Sequence, residues 1–451
     1  MVERAFDVVV IGAGAPGEVI AGRLGEAGLE VAIVEERLVG GECSFYACMP
    51  SKALLRPGEL AAEAGRVPGV ATGRLDVEAV LARRDEVVHD LDDSSQLPWL
   101  DERGVTLVRG HGRLDGERRV RVGDEALVAR KAVVVATGSS ATIPPVPGLA
   151  EARPWTNIEA TTAKQVPGRL FVLGGGVVGV EMAQAWSSLG SRVTLVHRTG
   201  RLIEREEPFA SEQVETALRE AGVDIRLEIE VSRVSRNGVV RVELDDGRSV
   251  DADEILVSIG RTPRSADIGL DTVGLEPGKH VSVDESLRVP GYDWLYAIGD
   301  DNGRALLTHM GKYQGRLAAD AILGKDVRLR SDGAASPRVI FTDPQVGAVG
   351  LTLAAAEEAG LRVRALEVDT GGNAGGSFVG KGAVGTARLV VDEDRRVVVG
   401  ATITGPEVAE ALHAATIAVI AETALDDLWH AVPAFPTRSE LWLRLLESYG
   451  L

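Results

Sequence analysis

Cysteine is scarce in this sequence, with Cys43 and Cys48 the only thiols among 451 residues. Two cysteines cannot build the disulfide framework of a small secreted protein, and a tetrahedral structural zinc would need further ligands that no spacing supplies. Basic residues are in deficit too: 49 Lys and Arg stand against 67 Asp and Glu, a formal charge of −18. Such a surface repels nucleic acid and anionic membranes, and neither is expected as a partner. No run reaches the roughly 18 apolar residues that a spanning helix requires. A charged leader, an apolar secretory segment and a small-residue cleavage site are also missing ahead of the strand-like run Phe6-Asp7-Val8-Val9-Val10-Ile11, so a cytoplasmic protein is expected. What remains is ordinary globular composition, 45% apolar and 26% charged, long enough for about three or four domain-sized units. Two close thiols in such a chain point to redox chemistry.

One architectural pattern occurs twice. Val8-Val9-Val10-Ile11 runs into Gly12-Ala13-Gly14-Ala15-Pro16-Gly17, a helical stretch to about Ala27, and Val31-Ala32-Ile33-Val34 ending in Glu35. Leu170-Phe171-Val172-Leu173 runs into Gly174-Gly175-Gly176-Val177-Val178-Gly179, a helix to about Leu189, and Val193-Thr194-Leu195-Val196. In each βαβ unit the first glycine makes the tight turn, the second admits a pyrophosphate to the backbone, and the third lets helix and strand pack. Gly12, Gly14, Gly17 and Gly174, Gly176, Gly179 are therefore expected at two nucleotides. Glu35 stands where an acid accepts hydrogen bonds from an adenosine ribose. The matching position in the second unit is His197, followed by Arg198 and Arg201. Guanidinium groups there favour a 2′-phosphate, hence NADPH over NADH, unless they are simply solvated loop arginines.

Val133 to Gly138, Leu256 to Arg261 and Leu295 to Asp300 are apolar strands that end in small-residue turns or an acid. After Ser336 strands and helices alternate without a glycine fingerprint, which predicts a separate α+β domain with a loop over 370–385. The fold class is thus α/β, with two Rossmann-like nucleotide-binding domains and a C-terminal α+β domain. Between Glu35 and this scaffold's next helix lie Cys43 and Cys48, followed by Lys52. Four residues separate the thiols, a gap one helical turn closes if a helix starts at Cys43, and a helix N-terminus lowers a thiol pKa. Two buried structural cysteines are the alternative, and Lys52, a turn further on, favours the redox reading.

With Gly40-Gly41-Glu42-Cys43-Ser44-Phe45-Tyr46-Ala47-Cys48-Met49-Pro50-Ser51-Lys52 and Val339-Ile340-Phe341-Thr342-Asp343-Pro344-Gln345-Val346 in view, the chain resembles the pyridine nucleotide-disulfide oxidoreductases over essentially its whole length. That is the family of dihydrolipoamide dehydrogenase, glutathione reductase and mercuric reductase. The resemblance implies FAD held by Gly12, Gly14, Gly17 and Glu35, with Asp300 on the ribityl chain. It implies Cys48 beside the flavin, Cys43 exchanging with substrate, and Lys52 paired with Glu181 near flavin N5. Gly41, Cys43, Lys52, Gly112, Thr137, Gly138 and Thr308 join the expected flavin positions, and His197, Arg198 and Gly260 the nicotinamide ones. It further implies a homodimer and domains at 1–148 (FAD), 149–267 (NAD(P)), 268–334 (completing the FAD domain) and 335–451 (dimerisation).

The sequence departs from the family in one place. Thiol-acting members carry His-Pro-Thr-x-x-Glu near the C-terminus, donated across the dimer; this chain has Phe435-Pro436-Thr437-Arg438-Ser439-Glu440. A phenyl ring moves no proton, where a positioned acid or base contributes about 10²–10⁴-fold. His430 is one substitute; an acceptor needing no proton at sulfur, a quinone or metal ion, is another. Mercuric reductases similarly lack the histidine, but Glu447-Ser448-Tyr449-Gly450-Leu451 holds no cysteine pair to deliver a metal. The 2-ketopropyl coenzyme M carboxylase branch is similar in its phenylalanine and differs at the acid kept here as Glu440. The expected activity is a FAD- and NADPH-dependent oxidoreductase passing electrons through Cys43 and Cys48 to a small-molecule acceptor. Direct flavin reduction of a quinone or metal ion is the alternative, and carboxylase-like chemistry or a non-catalytic flavoprotein the lesser ones. No resident metal is expected.

Overall fold

In the computed structural model, which describes residues 2–383 and 385–451, the two glycine-rich turns fall in different compact units. The first unit comprises Met1–Pro50, Asp85–Ala141 and Arg261–Gly333; the second comprises Ser51–Arg84, Thr142–Gly260 and Ala334–Leu451.

The first unit is built on β1 (Val2–Ile11), followed by α1 (Ala15–Glu26) and β2 (Val31–Glu35). β1 lies parallel to β2 on one side and to strand Glu125–Val135 on the other; Val105–Arg109 continues the sheet beyond β2. The strand Glu125–Val135 is longer than its apolar end suggests. Its last residues pair parallel with Leu295–Ala297, and its first half pairs antiparallel with Arg119–Val122. Val8 and Val10 pack with Ile20 and Leu24 on one face, while Val9 and Ile11 pack with Val133 and Val135 on the other. Both faces are covered, which is why this strand reads as an unbroken β-branched run.

The chain next forms two short-spaced helices, α2 (Gly41–Phe45) and α3 (Cys48–Arg66). The condition that one helix start at Cys43 is not met: the backbone leaves helical geometry at Tyr46 (φ −136°, ψ 0°). Cys43 therefore sits inside α2, and Cys48 opens α3.

The second unit holds a parallel sheet in the spatial order Asp224–Leu227, Arg192–His197, Arg169–Leu173, Glu254–Val257. The glycine turn leads from Arg169–Leu173 into helix Val177–Ser188, whose Val180, Ala183 and Trp186 are buried. A five-stranded antiparallel sheet follows after residue 337, with Val397–Gly405 at its centre. Helix Val408–Ala421 and helix Glu440–Tyr449 cover it through Val408, Leu412, Leu441 and Leu445. The expected loop over 370–385 contains a short helix, Ala374–Ser377, capped by the Asn373 side chain; residue 384 lies outside the described residues.

Arg84 is fully buried in this unit, where its guanidinium donates to the carbonyls of Thr161 and, at 2.8 Å, Ala163. These are carbonyls at the end of helix Asn157–Thr162, which have no intrahelical partner. Arg84→Met strips those acceptors in a dry site, and a loss of about 2–4 kcal/mol of stability is expected, read as a lower urea midpoint.

Candidate active site

The first glycine turn is tight enough to exclude side chains. A β-carbon on Gly12 (φ +105°) would come within 2.2 Å of the Ala136 carbonyl oxygen, and one on Gly17 within 2.0 Å of the Gly12 oxygen. Glu35 does not hang free at the end of β2: its carboxylate accepts from the amides of Ala13 (2.8 Å) and Arg37 (2.7 Å). Burial pushes its carboxyl up, and these two amides pull it back. No side chain caps the N-terminus of α1, so its first amides remain available to an anion. Gly138 (φ +75°), at the end of the neighbouring strand, has nothing within 4 Å of where its β-carbon would be. Open amides, an anchored ribose-type acid and a bare glycine fit a dinucleotide such as FAD. Gly112 is explained by packing, since its β-carbon would meet Ile11 and Val34 at 3.0 Å.

The same unit holds the cysteines. Cys43 and Cys48 are present as thiols, hydrogen-bonded to each other, and Cys48 Sγ lies 3.3 Å from Thr308 Oγ1 at the start of helix Thr308–Ile322. The hydrogen bond to Cys48, together with burial, pushes the Cys43 thiol up; Thr308 and the Lys312 ammonium pull it down.

Sequence reasoning singled out Asp300 and missed its neighbour. Asp300 accepts from the Ser139 hydroxyl, whereas Asp301 is completely buried and accepts from Thr137 Oγ1 (2.6 Å) and Gly138 N (2.7 Å). Asp301 thus fixes two expected flavin positions; the doubled acid Asp300-Asp301 was its only signal. Burial pushes the Asp301 carboxyl up to about 7, and burial does the same to Glu18 on α1.

In the second unit, Lys52 Nζ pairs with Glu181 Oε2 at 2.7 Å, as expected. Glu181 is nearly inaccessible, and its other oxygen accepts from the Phe341 amide at 2.9 Å; the Lys52 ammonium also lies 4.7 Å from the Phe341 ring centroid. Phe341 was not foreseen, because its part is played by a backbone amide that no residue type advertises.

The second glycine turn repeats the first. Gly174 (φ +113°) packs on Ser258, with 2.6 Å between its would-be β-carbon and that carbonyl oxygen, and Gly179 packs on Gly174 at 1.9 Å. Gly176 and Gly260 have nothing within 4 Å. His197 replaces the acid in kind: its Nδ1 accepts from Gly175 N at 3.1 Å, as Glu35 accepts from Ala13. Burial pushes the imidazole below its usual range, which keeps it neutral and able to accept. Arg198 is exposed beside it, while Arg201 turns to the Glu204 carbonyl.

Phe435, standing where the family has histidine, is 77% exposed. Glu440, the acid that would orient an imidazole, begins the last helix, with Gly375 N 3.4 Å from its Oε2. His430, at the end of helix Leu425–His430, is exposed. Among the described residues no three His, Cys, Asp or Glu side chains gather as a metal would need, and no helix is long and apolar enough to cross a membrane.

Two glycine turns of dinucleotide type, a thiol pair and a lysine paired with a buried glutamate define a flavoprotein disulfide reductase. The chain belongs to the pyridine nucleotide-disulphide oxidoreductases, whose family model matches residues 6–315, with their dimerisation domain matching 336–445. It is accordingly an oxidoreductase of a family that uses FAD and NAD(P)H, and the dimerisation domain supports a homodimer. The chain is 30% identical to mercuric reductase of Staphylococcus aureus, over 96% of its own length and 81% of the relative's. It is 32% identical to dihydrolipoyl dehydrogenase of Chlamydia muridarum, over 97% and 96%. Among solved structures, the copper(II) complex of the HOCl-induced flavoprotein disulfide reductase RclA from Escherichia coli is similar with a TM-score of 0.87 and 25% identity, over 98% of this chain and 99% of that one. LpdA of Mycobacterium tuberculosis shares the fold, with a TM-score of 0.87 and 24% identity over the whole of both chains.

The raised carboxyls give the first unit a stated pH dependence. Folding lifts Asp301 from 3.8 to about 7, so between these values the native state binds a proton that the unfolded chain has lost. Its contribution is full below the unfolded value and is lost as pH rises through the folded one. Asp301→Asn is expected to flatten the decline in unfolding midpoint from about pH 5 to about pH 8; an undiminished decline would place the proton elsewhere.

Proposed function

We propose that this protein is an NADPH-dependent flavoprotein reductase whose Cys43–Cys48 pair hands electrons to an acceptor that takes them from sulfur without enzyme-supplied acid or base. The observation that carries this reading is the C-terminal segment. Phe435 is exposed where an imidazole would move protons, and Glu440, freed from orienting one, faces the Gly375 amide. A soft metal ion is the acceptor class best matched to a thiol pair. Relatives named for mercury, and a similar reductase crystallised with copper(II), lie on the same side.

Bound FAD supplies two-electron exchange between nicotinamide and sulfur. Gly12, Gly14, Gly17 and the uncapped start of α1 receive its pyrophosphate, Glu35 its ribose and Asp300 its ribityl hydroxyls, with Thr137 and Gly138 held for it by Asp301. Glu181 keeps the Lys52 ammonium in one place. Cys43 and Cys48, once reduced, give two electrons to the acceptor, close as a disulfide and release their protons to water. The domain assignments at 1–148, 149–267, 268–334 and 335–451 follow this division of labour, and a cytoplasmic location suits a supply of NADPH.

NADPH is preferred because the neutral His197, whose Nδ1 accepts from Gly175, carries its proton on Nε2 and is followed by the exposed Arg198; both can donate to a phosphate, and neither accepts from a ribose hydroxyl. Arg198→Glu is expected to raise KM for NADPH by about 10–100-fold and to change KM for NADH by less than about threefold, measured by steady-state oxidation.

The reading itself is tested with Cys43→Ser and Cys48→Ser in anaerobic NADPH oxidation against mercuric and cupric ions and against a benzoquinone. Each variant should still be bleached by NADPH yet lose metal reduction by about 100-fold or more. Full metal reduction in both variants would put the cysteines outside the electron path. Quinone reduction that survives while metal reduction was never present would install direct transfer from flavin instead.

A further inference from the structure

Cys43 is preceded by an acid, and the two share the short helix α2. The Glu42 carboxylate is 18% exposed, and each oxygen is taken by a different guanidinium: Arg264 reaches Oε1 at 2.7 Å and Arg261 reaches Oε2 at 2.5 Å. The same arginines close on Ser139. Arg261 donates to its hydroxyl at 2.6 Å and its carbonyl at 2.8 Å, and Arg264 Nε donates to that carbonyl at 3.1 Å. The Ser139 hydroxyl donates onward to Asp300, whose carboxylate lies 3.7 Å from Arg261 Nε. Arg261 opens the short strand Arg261–Pro263, paired antiparallel with Ser139–Ala141, and Arg264 follows it directly, its amide donating to the Gly138 carbonyl at 2.9 Å.

Two acids and two arginines thus form a neutral cluster directly before the first cysteine. At the same N-terminal end α2 lies on the nucleotide turn: Gly40 N donates to Ala13 O at 2.8 Å, and a β-carbon on Gly41 would come within 2.7 Å of Gly14 Cα. Phe45, only 1% exposed, fixes the C-terminal end of the helix. Glu42 is the charged member of these anchors, and its loss changes the cluster's charge while the apolar ones remain.

We propose that Glu42 is a positioning residue for the cysteine pair: its carboxylate ties α2 to the Asp300 turn and cancels one of two positive charges, and so sets the dithiol–disulfide equilibrium of Cys43 and Cys48. The inference rests on the reading that this pair cycles between those two states.

The experiment equilibrates the FAD-loaded protein with reduced and oxidised dithiothreitol. One molecule of dithiol gives two electrons and two protons to the Cys43–Cys48 disulfide and itself closes to the cyclic disulfide. Glu42→Gln keeps the shape, removes the anion and leaves the cluster with a net positive charge, which favours thiolate and hence the reduced pair. A shift of about tenfold toward dithiol at about pH 8 is expected, corresponding to about 30 mV, together with faster alkylation of Cys43 by iodoacetamide at neutral pH. Glu42→Asp keeps the charge and should stay within about threefold of the unaltered protein, and adding Arg264→Gln to Glu42→Gln should restore the equilibrium. The proposal is overturned if Glu42→Gln leaves the equilibrium unmoved, or if Glu42→Asp moves it as far, which would make shape and not charge the cause. A pair that shows no dithiol–disulfide transition even in the unaltered protein would instead sink the redox reading of the cysteines.

Discussion

Two backbones meet in the first unit with no side chain between them: Gly41 lies on Gly14, and Gly40 hydrogen-bonds to Ala13. This contact makes the nucleotide turn the floor on which the first cysteine stands. Gly40 and Gly41 both take positive φ, at 110° and 65°, which a residue with a β-carbon adopts only under strain. The glycines ahead of Cys43 therefore serve twice, once for the chain's direction and once for the closeness of its approach. Glu42 then fixes α2 laterally, and Thr308, 260 residues further along the chain, meets Cys48. The thiol pair is held from several directions by parts distant in sequence, which is the kind of support that keeps a reacting pair within hydrogen-bond reach.

Elements that announce themselves by local pattern were legible. Both βαβ units and the replacement of an acid by His197 could be read because glycine turns and β-branched runs are short-range signals, while the Lys52–Glu181 pair came only through the family resemblance. The family resemblance extended that reading to the cysteines and to the C-terminal segment. What stayed hidden depends on long-range or backbone partners. The helix break at Tyr46 leaves no composition signal; Phe341 acts through its amide; the arginines that clamp Glu42 lie more than 200 residues away in sequence. Asp301 looked like a spare acid beside Asp300 until the fold buried it against Thr137 and Gly138. Gly112 has a packing reason of its own that sequence does not show: a β-carbon there would meet Ile11 and Val34.

The two nucleotide turns solve one problem with different chemistry. In each, the side chain ending the second strand accepts the amide of the middle residue of the glycine turn, Ala13 for Glu35 and Gly175 for His197. A carboxylate has acceptor capacity left over and can receive ribose hydroxyls as well as the amide. An imidazole that spends its one lone pair on the amide has only a donor to show outward. The exchange of one residue type therefore leaves a donor beside the second turn where the first keeps acceptors. It also imports a sensitivity that a carboxylate at neutral pH lacks: a second proton on His197 would abolish the acceptor, set two N–H groups against each other and loosen the turn at its narrowest point. The nucleotide pocket of the second unit thus carries its own acid limit, set by a ring nitrogen that must stay bare.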